Sequence, residues 1–549
     1  MPIDALQDDS LVKADLRDHA RRRDERSPWE SLWRQIDERF PDGAGGFNTT
    51  SPGQVRGERN FDTTHITALD RFKAAMRAIT TPEEKPYIVP SFAPELMRVR
   101  AVREWCFEAG RRLQAIRHAS HTGFGIAVDE DWDQLGRYGT SIMWQEERAD
   151  KSGLFYRTLH LAECTIDTDE AGLVDTMDRR FKRTARQLEQ FFGMEALTPK
   201  MREALTQPGK EHTEFEILAV VAPNTQWDQD KFDWRRMPIA SRYLAIDEKL
   251  YIKRSGYWTM PGSGSRHTTS PGEKYGRSPA IKMLPTINML NAMQHTNIRA
   301  AHKMTDPALV FNNDDGITSL STRPNGMNPG LVSEDGRLLV ARMPGGENGL
   351  PIAMEMVEQE RAVLKTAFLE EFYKILTYPN SRMTTTEVLE VMSKQGILVR
   401  PYASRYATEK QLPMTNRDLD MALRAGQIKP FPPEVVEAGA WPMIDYENEL
   451  AAMARAQSVS KTLRWVEALA PMAAVDPSVY DYVDLDEVVP GIGEEIGVAP
   501  RYSRSPEKVA ALRAQRTEAE AVPVGIDALS GAAGAALDLA KANQIGVAA

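Results

Sequence analysis

Residues 275–310, YGRSPAIKMLPTINMLNAMQHTNIRAAHKMTDPALV, call for a helix whose two halves sit in different surroundings. Ile287, Leu290 and Met293 recur at helical spacing and mark one apolar face, but the next turns carry Gln294, His295, Asn297, Arg299, His302 and Lys303. A helix held in a single core keeps its stripe to the end. This one is expected to leave the protein body partway along, so the fold must supply a place for its wet half.

A second long helix is predicted over 351–377, with Met354, Val357, Leu364, Phe368, Phe372 and Ile375 along one face. Between the two helices, 306–350 is turn-rich with short strands in DPALVFNNDDG, RPNGMNPGLV and EDGRLLVARMPGGENG. Two long helices thus flank a small β-rich insert.

Upstream, HITALDRFKAAMRAITTP places Ile66, Leu69, Phe72, Met76 and Ile79 at helical spacing, and Pro82 closes the run. Residues 95–136 read as helix leading into the strand YGTSIMWQEE. The segment GLFYRTLHLAECTIDTDEAGLVDTMDRRFK reads as strand, turn at 169–172 and strand; TARQLEQFFG returns to helix, with Thr184 as N-cap and Gly193 as stop. More sheet is expected over 212–258, and the Pro/Gly/Ser-rich MPGSGSRHTTSPGEKYGRSP separates it from the opening helix. Further helices follow in MTTTEVLEVMSKQG and YATEKQLPMTNRDLDMALRAG, then a break at PFPPEV and mostly helix over 440–515. The first 45 residues are helical and heavily charged, and the last thirty or so are an Ala/Gly-rich tail. The fold class is α+β, mainly helical.

At 549 residues and 42% hydrophobic content, the chain is long enough for several domains with real cores. Its net charge of −10 disfavours a general nucleic-acid coat and leaves local basic faces open. Cys106 and Cys164 lie far apart without a CxxC, so neither a disulfide framework nor a structural zinc is expected, and a reducing compartment fits. The N-terminal arginine run has no apolar segment after it, which reads as no secretory or twin-arginine signal, and no run of about 18 apolar residues occurs. The expectation is a soluble chain made in the cytoplasm, with no membrane partner.

Motifs for chemistry are missing. A nucleotide-burning enzyme normally carries GxxxxGK[ST], and the Gly209–Lys210 dipeptide here runs into Glu211 without the upstream glycine. DTDEAG at 167–172 starts like a calcium loop, but Ala171 and Asp178 stand where an oxygen ligand and a bidentate Glu are wanted, so a hairpin turn is the better reading. His118 and His121 lack a third metal ligand at motif spacing, and there is no GxSxG. No catalytic residue, metal or cofactor is expected.

Charge placement is more informative. Residues 275–305 carry Arg277, Lys282, Arg299 and Lys303 with no acidic residue, while 351–378 carry Glu355, Glu358, Glu360, Glu370 and Glu371 against three basic residues. His295, Arg299 and His302 share one face of the first helix. A solvated face, contact with phosphate, and contact with an acidic neighbouring helix all remain open.

The order of motifs resembles the portal, or head-to-tail connector, proteins of short-tailed, T7-like bacteriophages. The resemblance runs from about residue 60 to about 515, on FDTTHITALDRFKAAM, LGRYGTSIMWQEE, FYRTLHLAECTIDTDEAGLVDTMDRRFKRTARQLEQFFG and SPGEKYGRSPAIKMLPTINMLNAM. It continues through LDMALRAGQIKPFPPEV, AAMARAQSVSKTLRWVEALA and PSVYDYVDLDEVV. Tyr87 stands where relatives have Trp, and Pro401 and Pro413 interrupt what the resemblance makes a long helix.

The resemblance implies a dodecameric ring at one capsid vertex, with a channel for double-stranded DNA read without sequence preference. After a charged N-terminal arm (1–45), the wing would take 46–274, the stem helices 275–305 and 351–378, and the clip 306–350. A channel loop and long wing helix would take 379–435 and the crown 436–518, before the tail at 519–549. Asn380, Ser381 and Arg382 would project into the channel. Arg277, Lys282, His295, Arg299, His302 and Lys303 are candidates for DNA contact or stem pairing, with the five glutamates as acidic stem partners. Implied partners are the large terminase, tail adaptor, scaffold and major capsid proteins, and the implied location is the virion's head-tail vertex. The rivals are a tail adaptor, a coat subunit, or a terminase-like ATPase, which the missing phosphate loop disfavours.

Overall fold

The computed structural model describes residues 7–519 apart from 42–45, 49–53, 55–56, 149–152, 229–232, 312–319, 322, 324, 329–330, 333–334, 343–349, 378–384, 447–448, 474–477, 479–481, 497, 499–501, 503 and 505. In chain order the elements are α1 (Asp9–Arg39), α2 (Thr64–Thr80), β1 (Ile88–Ser91), α3 (Pro94–Met97), α4 (Arg100–Arg117), α5 (Phe124–Tyr138), β2 (Thr140–Glu147), β3 (Leu154–Leu159), β4 (Cys164–Thr168) and β5 (Val174–Thr184). Then come α6 (Ala185–Phe192), α7 (Pro199–Thr206), β6 (Glu214–Pro223), β7 (Ile239–Ala245), β8 (Leu250–Tyr257), β9 (Gly262–Arg266), α8 (Pro279–Thr305), β10 (Leu309–Phe311) and β11 (Val340–Arg342). The remainder is α9 (Leu350–Ala367), α10 (Glu370–Thr377), α11 (Thr385–Tyr406), a π-helical turn at Ala407–Gln411, α12 (Leu412–Arg424), α13 (Pro433–Glu437), β12 (Met443–Tyr446), α14 (Glu449–Ala473), α15 (Leu485–Ile496) and α16 (Pro506–Ala519).

The chain divides into two units, residues 1–93 with 105–458 and residues 94–104 with 459–549. In the first, an antiparallel sheet of order β4-β5-β6-β7-β8 is apolar on both faces. Ile217 and Ala219 of β6 pack with Leu188, Leu197 and Met201 of the α6–α7 segment. Leu218 and Val220 point the other way and pack with Val12 of α1. Two covered faces explain the unbroken apolar run ILAVVA where a one-sided strand would alternate. The α6 start is a capping box: Thr184 Oγ1 accepts from the Gln187 N–H, and Gln187 Oε1 accepts from the Thr184 N–H; Gly193 ends the helix at φ +80.

Three expectations need correcting. The sheet region before residue 169 is two strands in two sheets: β3 pairs with β2 and β4 pairs with β5, with a short 3-10 turn between them. The Pro/Gly/Ser-rich separator contains β9, a fully buried strand paired with β2. Its small residues permit a close approach rather than a loop, since a Cβ on Gly262 would meet Met177 Sδ at 2.5 Å. The helix expected unbroken over 351–377 breaks after Ala367, where Leu369 takes φ +57 before α10 restarts at Glu370.

The N-terminal segment, expected as a charged arm, lies along the sheet with its charges engaged. Asp15 takes two hydrogen bonds of 2.7 Å from Arg242 and one of 2.7 Å from the Tyr251 hydroxyl, and Arg22 donates to Asp178 at 2.7 Å. Farther along the same helix, Trp33 and Ile36 join the main core with Phe72, Trp132, Tyr138, Leu284, Ile287, Leu364 and Phe368. Charge density in the sequence hides a helix that enters the core through Val12, Trp33 and Ile36.

Helix continues through both prolines of the downstream segment. Pro413 has no N–H to donate, and the turn before it widens so that the Leu412 N–H reaches the Ala407 carbonyl. That widening turns Glu409, Lys410 and Gln411 into the interior. Among the described residues of the second unit, Arg513 donates to both carboxylate oxygens of Asp486 at 2.6 and 2.5 Å.

The buried His267 gives the first unit an acid-sensitive point. Its ring stacks on Tyr402 at 4.2 Å, its Nδ1 lies 3.0 Å from Thr268 Oγ1, and burial, with Lys282 and Arg405 nearby, pushes its pKa down to about 3. The unfolded chain therefore binds the extra proton first, so stability should fall as pH drops from about 6.5 toward 3, by roughly 1 kcal/mol per pH unit. His267→Phe should flatten that slope in urea melts taken across the window; an unchanged slope would assign it to other groups.

Candidate functional site

Helix α8 is anchored at its start and released at its end. Ser278 caps it, accepting from the Ile281 N–H at 2.8 Å and donating to the Arg137 carbonyl at 2.6 Å. Pro279, Ala280, Ile281, Leu284, Ile287 and Leu290 are buried, Met293 is half-buried, and no later residue of the helix is buried. The exit expected from the sequence falls at Met293.

The mid-helix asparagines have structural work that composition does not show. Asn288 accepts from Arg39 Nε at 2.7 Å, while Asn291 accepts from the Phe61 N–H at 2.6 Å and donates to the Arg59 carbonyl at 2.9 Å. His295 packs its ring on Phe61 at 4.5 Å. The polar turns after Leu290 therefore grip the segment before α2, while the last turns make no such contact among the described residues.

The candidate basic residues fall into two groups. Arg277 is committed: it pairs with Glu273 at 2.5 Å and lies over the Trp29 ring at 5.2 Å, and its hydrogen bond holds the Glu273 carboxyl below the usual range. Lys282, Arg299, His302 and Lys303 are exposed, and among the described residues none reaches a carboxylate. Three of these four lie in the last two turns.

The acidic helices divide similarly. Glu370 is buried and pairs with Arg71 and, at 3.3 Å, with Lys374, while Glu358 pairs with Arg361 at 2.6 Å. Arg361 also holds Asp62 at 2.7 Å; burial raises that carboxyl, but hydrogen bonds from Thr64 and Arg361 outweigh it and leave its pKa lowered. Glu355, Glu360 and Glu371 make no ion pair among the described residues. α8 packs against α9, yet no α8 cation pairs with an α9 or α10 glutamate in the same chain among the described residues. Asn380, Ser381 and Arg382 lie outside the described residues.

Exposed apolar groups occur on the same helices as well as elsewhere in the chain. Ile352, Met356 and Val363 of α9 are 63%, 52% and 52% exposed, beside the inward Val357 and Leu364; Met289 and Met304 of α8 are exposed too. A soluble monomer rarely leaves such a stripe uncovered. Residues 15–503, which contain every one of these elements, match the bacteriophage head to tail connecting protein family. The chain belongs to that family.

Two relatives cover nearly the whole connector chain. The probable portal protein of Bordetella phage BPP-1 is 25% identical over 514 residues, 90% of this chain and 89% of that protein. The portal protein of Salmonella phage epsilon15 is 23% identical over 539 residues, 94% of each. In this connector the sequence did not reveal Asp62, Arg71 and Arg361, which tie the second helix region to the body. Each pairing spans 299 positions and leaves no local pattern. Among the described residues there is no group of three metal-ligating side chains, and no helix is long and apolar enough to cross a membrane.

Proposed function

We propose that this connector chain is a portal protein: the subunit of a closed ring, twelve in the virion, through whose channel double-stranded DNA is packaged and later released. The family match across residues 15–503 carries the reading. The geometry of α8 and α9 supports it, because both helices leave the core with apolar and charged groups uncovered, as helices do when neighbouring copies cover them. A tail adaptor or coat subunit is not favoured, since the relatives named above are portal proteins along nearly their full lengths.

In this reading α8 with α9 and α10 is the stem, the β10–β11 segment the clip, the sheet and the α11–α12 helix the wing, and the region from residue 436 the crown. Lys282, Arg299, His302 and Lys303, free within the chain, meet either phosphates in the channel or Glu355, Glu360 and Glu371 of the next subunit. Copies of a chain with net charge −10 repel a polyanion overall, so DNA slides rather than sticks. The ring is a passive conduit: a separate terminase supplies the hydrolysis, then a tail adaptor replaces it, and scaffold and coat proteins surround the vertex.

Negative-stain microscopy of purified protein tests the reading directly. Closed rings with an open centre are expected, while shells, fibres or a persistent monomer would overturn it. Arg382→Ala is expected to alter DNA retention in filled particles without preventing ring formation; loss of rings would remove Arg382 from the channel loop.

A further inference from the structure

We propose that the cleft beside the free edge of β5 binds a phosphate dianion, either the free ion or a monoester. β4 pairs with β5 only up to Cys164 opposite Arg179, whereas β5 runs on to Thr184 with β6 on its other side. Residues 180–184 of β5 therefore have an open flank, and α1 crosses it to roof a cleft of about 470 Å³.

Five permanent cations line the cleft, Arg23, Arg26, Arg180, Lys182 and Arg183, against the carboxylates of Glu163 and Glu216. Both carboxylates are already neutralised: Arg180 holds Glu216 through two bonds of 2.7 Å, and Arg179 holds Glu163 at 2.8 Å. Arg26 is committed to Glu30 at 2.6 Å and to the Cys164 carbonyl at 2.5 Å. Arg23, Lys182 and Arg183 reach no carboxylate among the described residues. Arg183 donates to the Lys182 carbonyl at 2.8 Å and stands over the Phe181 ring, so three cations free of any carboxylate among the described residues line one cleft of a chain whose net charge is −10.

A buried atom completes the site. His19 is 8% exposed; its Nδ1 lies 3.1 Å from Asp178 Oδ2, a carboxylate that Arg22 neutralises at 2.7 Å. Its Nε2 is buried without a hydrogen-bond partner among the described residues, an unusual condition for a polar atom in a folded interior. The imidazole lines the cleft, so a ligand bound there would lie beside this unpartnered nitrogen. A carboxylate brings one charge and two oxygens, too few for two guanidinium groups and an ammonium contributed by α1 and β5. A phosphate offers two charges and oxygens on several sides, and arginine forks suit it.

Calorimetric titration of inorganic phosphate into the full chain at fixed ionic strength tests the site. Saturable binding of one phosphate per chain is expected, with methyl phosphate as a second arm to tell whether a monoester is also admitted. Lys182→Ala with Arg23→Ala, both exposed positions, should weaken binding about tenfold or more while the circular dichroism stays native. His19→Gln should weaken it less. Acetate binding as tightly as phosphate, no saturable phosphate heat, or unchanged affinity in the folded Lys182→Ala, Arg23→Ala variant would each overturn the proposal.

Discussion

Asp131→Ala is expected to cost about 3–5 kcal/mol of folding free energy. Asp131 of α5 and Lys410 of the π-helical turn are both fully buried and meet at 2.8 Å, and Lys410 also donates to the Ser263 carbonyl of β9 at 2.8 Å. Burial lowers the Lys410 pKa despite the attraction of Asp131 and Glu409, so the buried ammonium depends on the carboxylate it touches. Removing Asp131 strands it, and the turn has nowhere to put it. The double variant Asp131→Leu, Lys410→Met fills the same space without charge and should recover most of the loss, because the penalty lies in the unpaired ion rather than in the missing pair. Chemical denaturation of the three proteins measures this. If the single variant costs less than about 1 kcal/mol, or the double variant is worse than the single, the pair is not what holds the turn.

That pair also shows where a sequence stops being readable. The two residues are 279 positions apart, and neither belongs to a local pattern that announces burial. Lys410 lies in ATEKQLP, a polar stretch of a helix read from the sequence; the widening before Pro413 turns it inward. β9 fails for a related reason, since GSGSR has the composition of a linker and its small residues are demanded by β2 and Met177, which come from elsewhere in the chain. Periodicity over a single element was legible wherever one face meets one core. Leu69, Phe72, Met76 and Ile79 of α2 are buried as their spacing requires, and the stripe of α8 ends where its helix leaves the body. The break at Leu369 is invisible to periodicity because Leu364, Phe368 and Phe372 stay in phase across it and all three are buried. For the candidate site, the unpaired cations at the end of α8 were legible as a run without acidic residues. The commitment of Arg277 to Glu273 and Trp29, and of Glu370 to Arg71, depended on folded neighbours.

Ile352→Glu, Met356→Glu and Val363→Glu together are expected to leave a folded chain that no longer forms rings. All three side chains are more than half exposed within the chain, so little folding energy is lost, whereas in the proposed ring each would lie against the next subunit. Covering an apolar side chain of this size contributes about 1.5–3 kcal/mol, and a carboxylate in its place must shed water without gaining a partner. A closed ring repeats the defect at every joint, so a modest change per interface becomes loss of assembly. Sedimentation velocity and negative-stain microscopy would read it out; undisturbed rings would mean that another face joins the subunits. Arg299→Ala with Lys303→Ala, made in the same background of intact apolar residues, separates the two roles left for the end of α8. Rings that form but retain DNA differently would place these cations at the channel, because phosphate contacts act on the passing strand alone. Rings that fail would make them partners of the neighbour's Glu355, Glu360 or Glu371, since removing one side of a shielded pair leaves its carboxylates to repel one another around the ring.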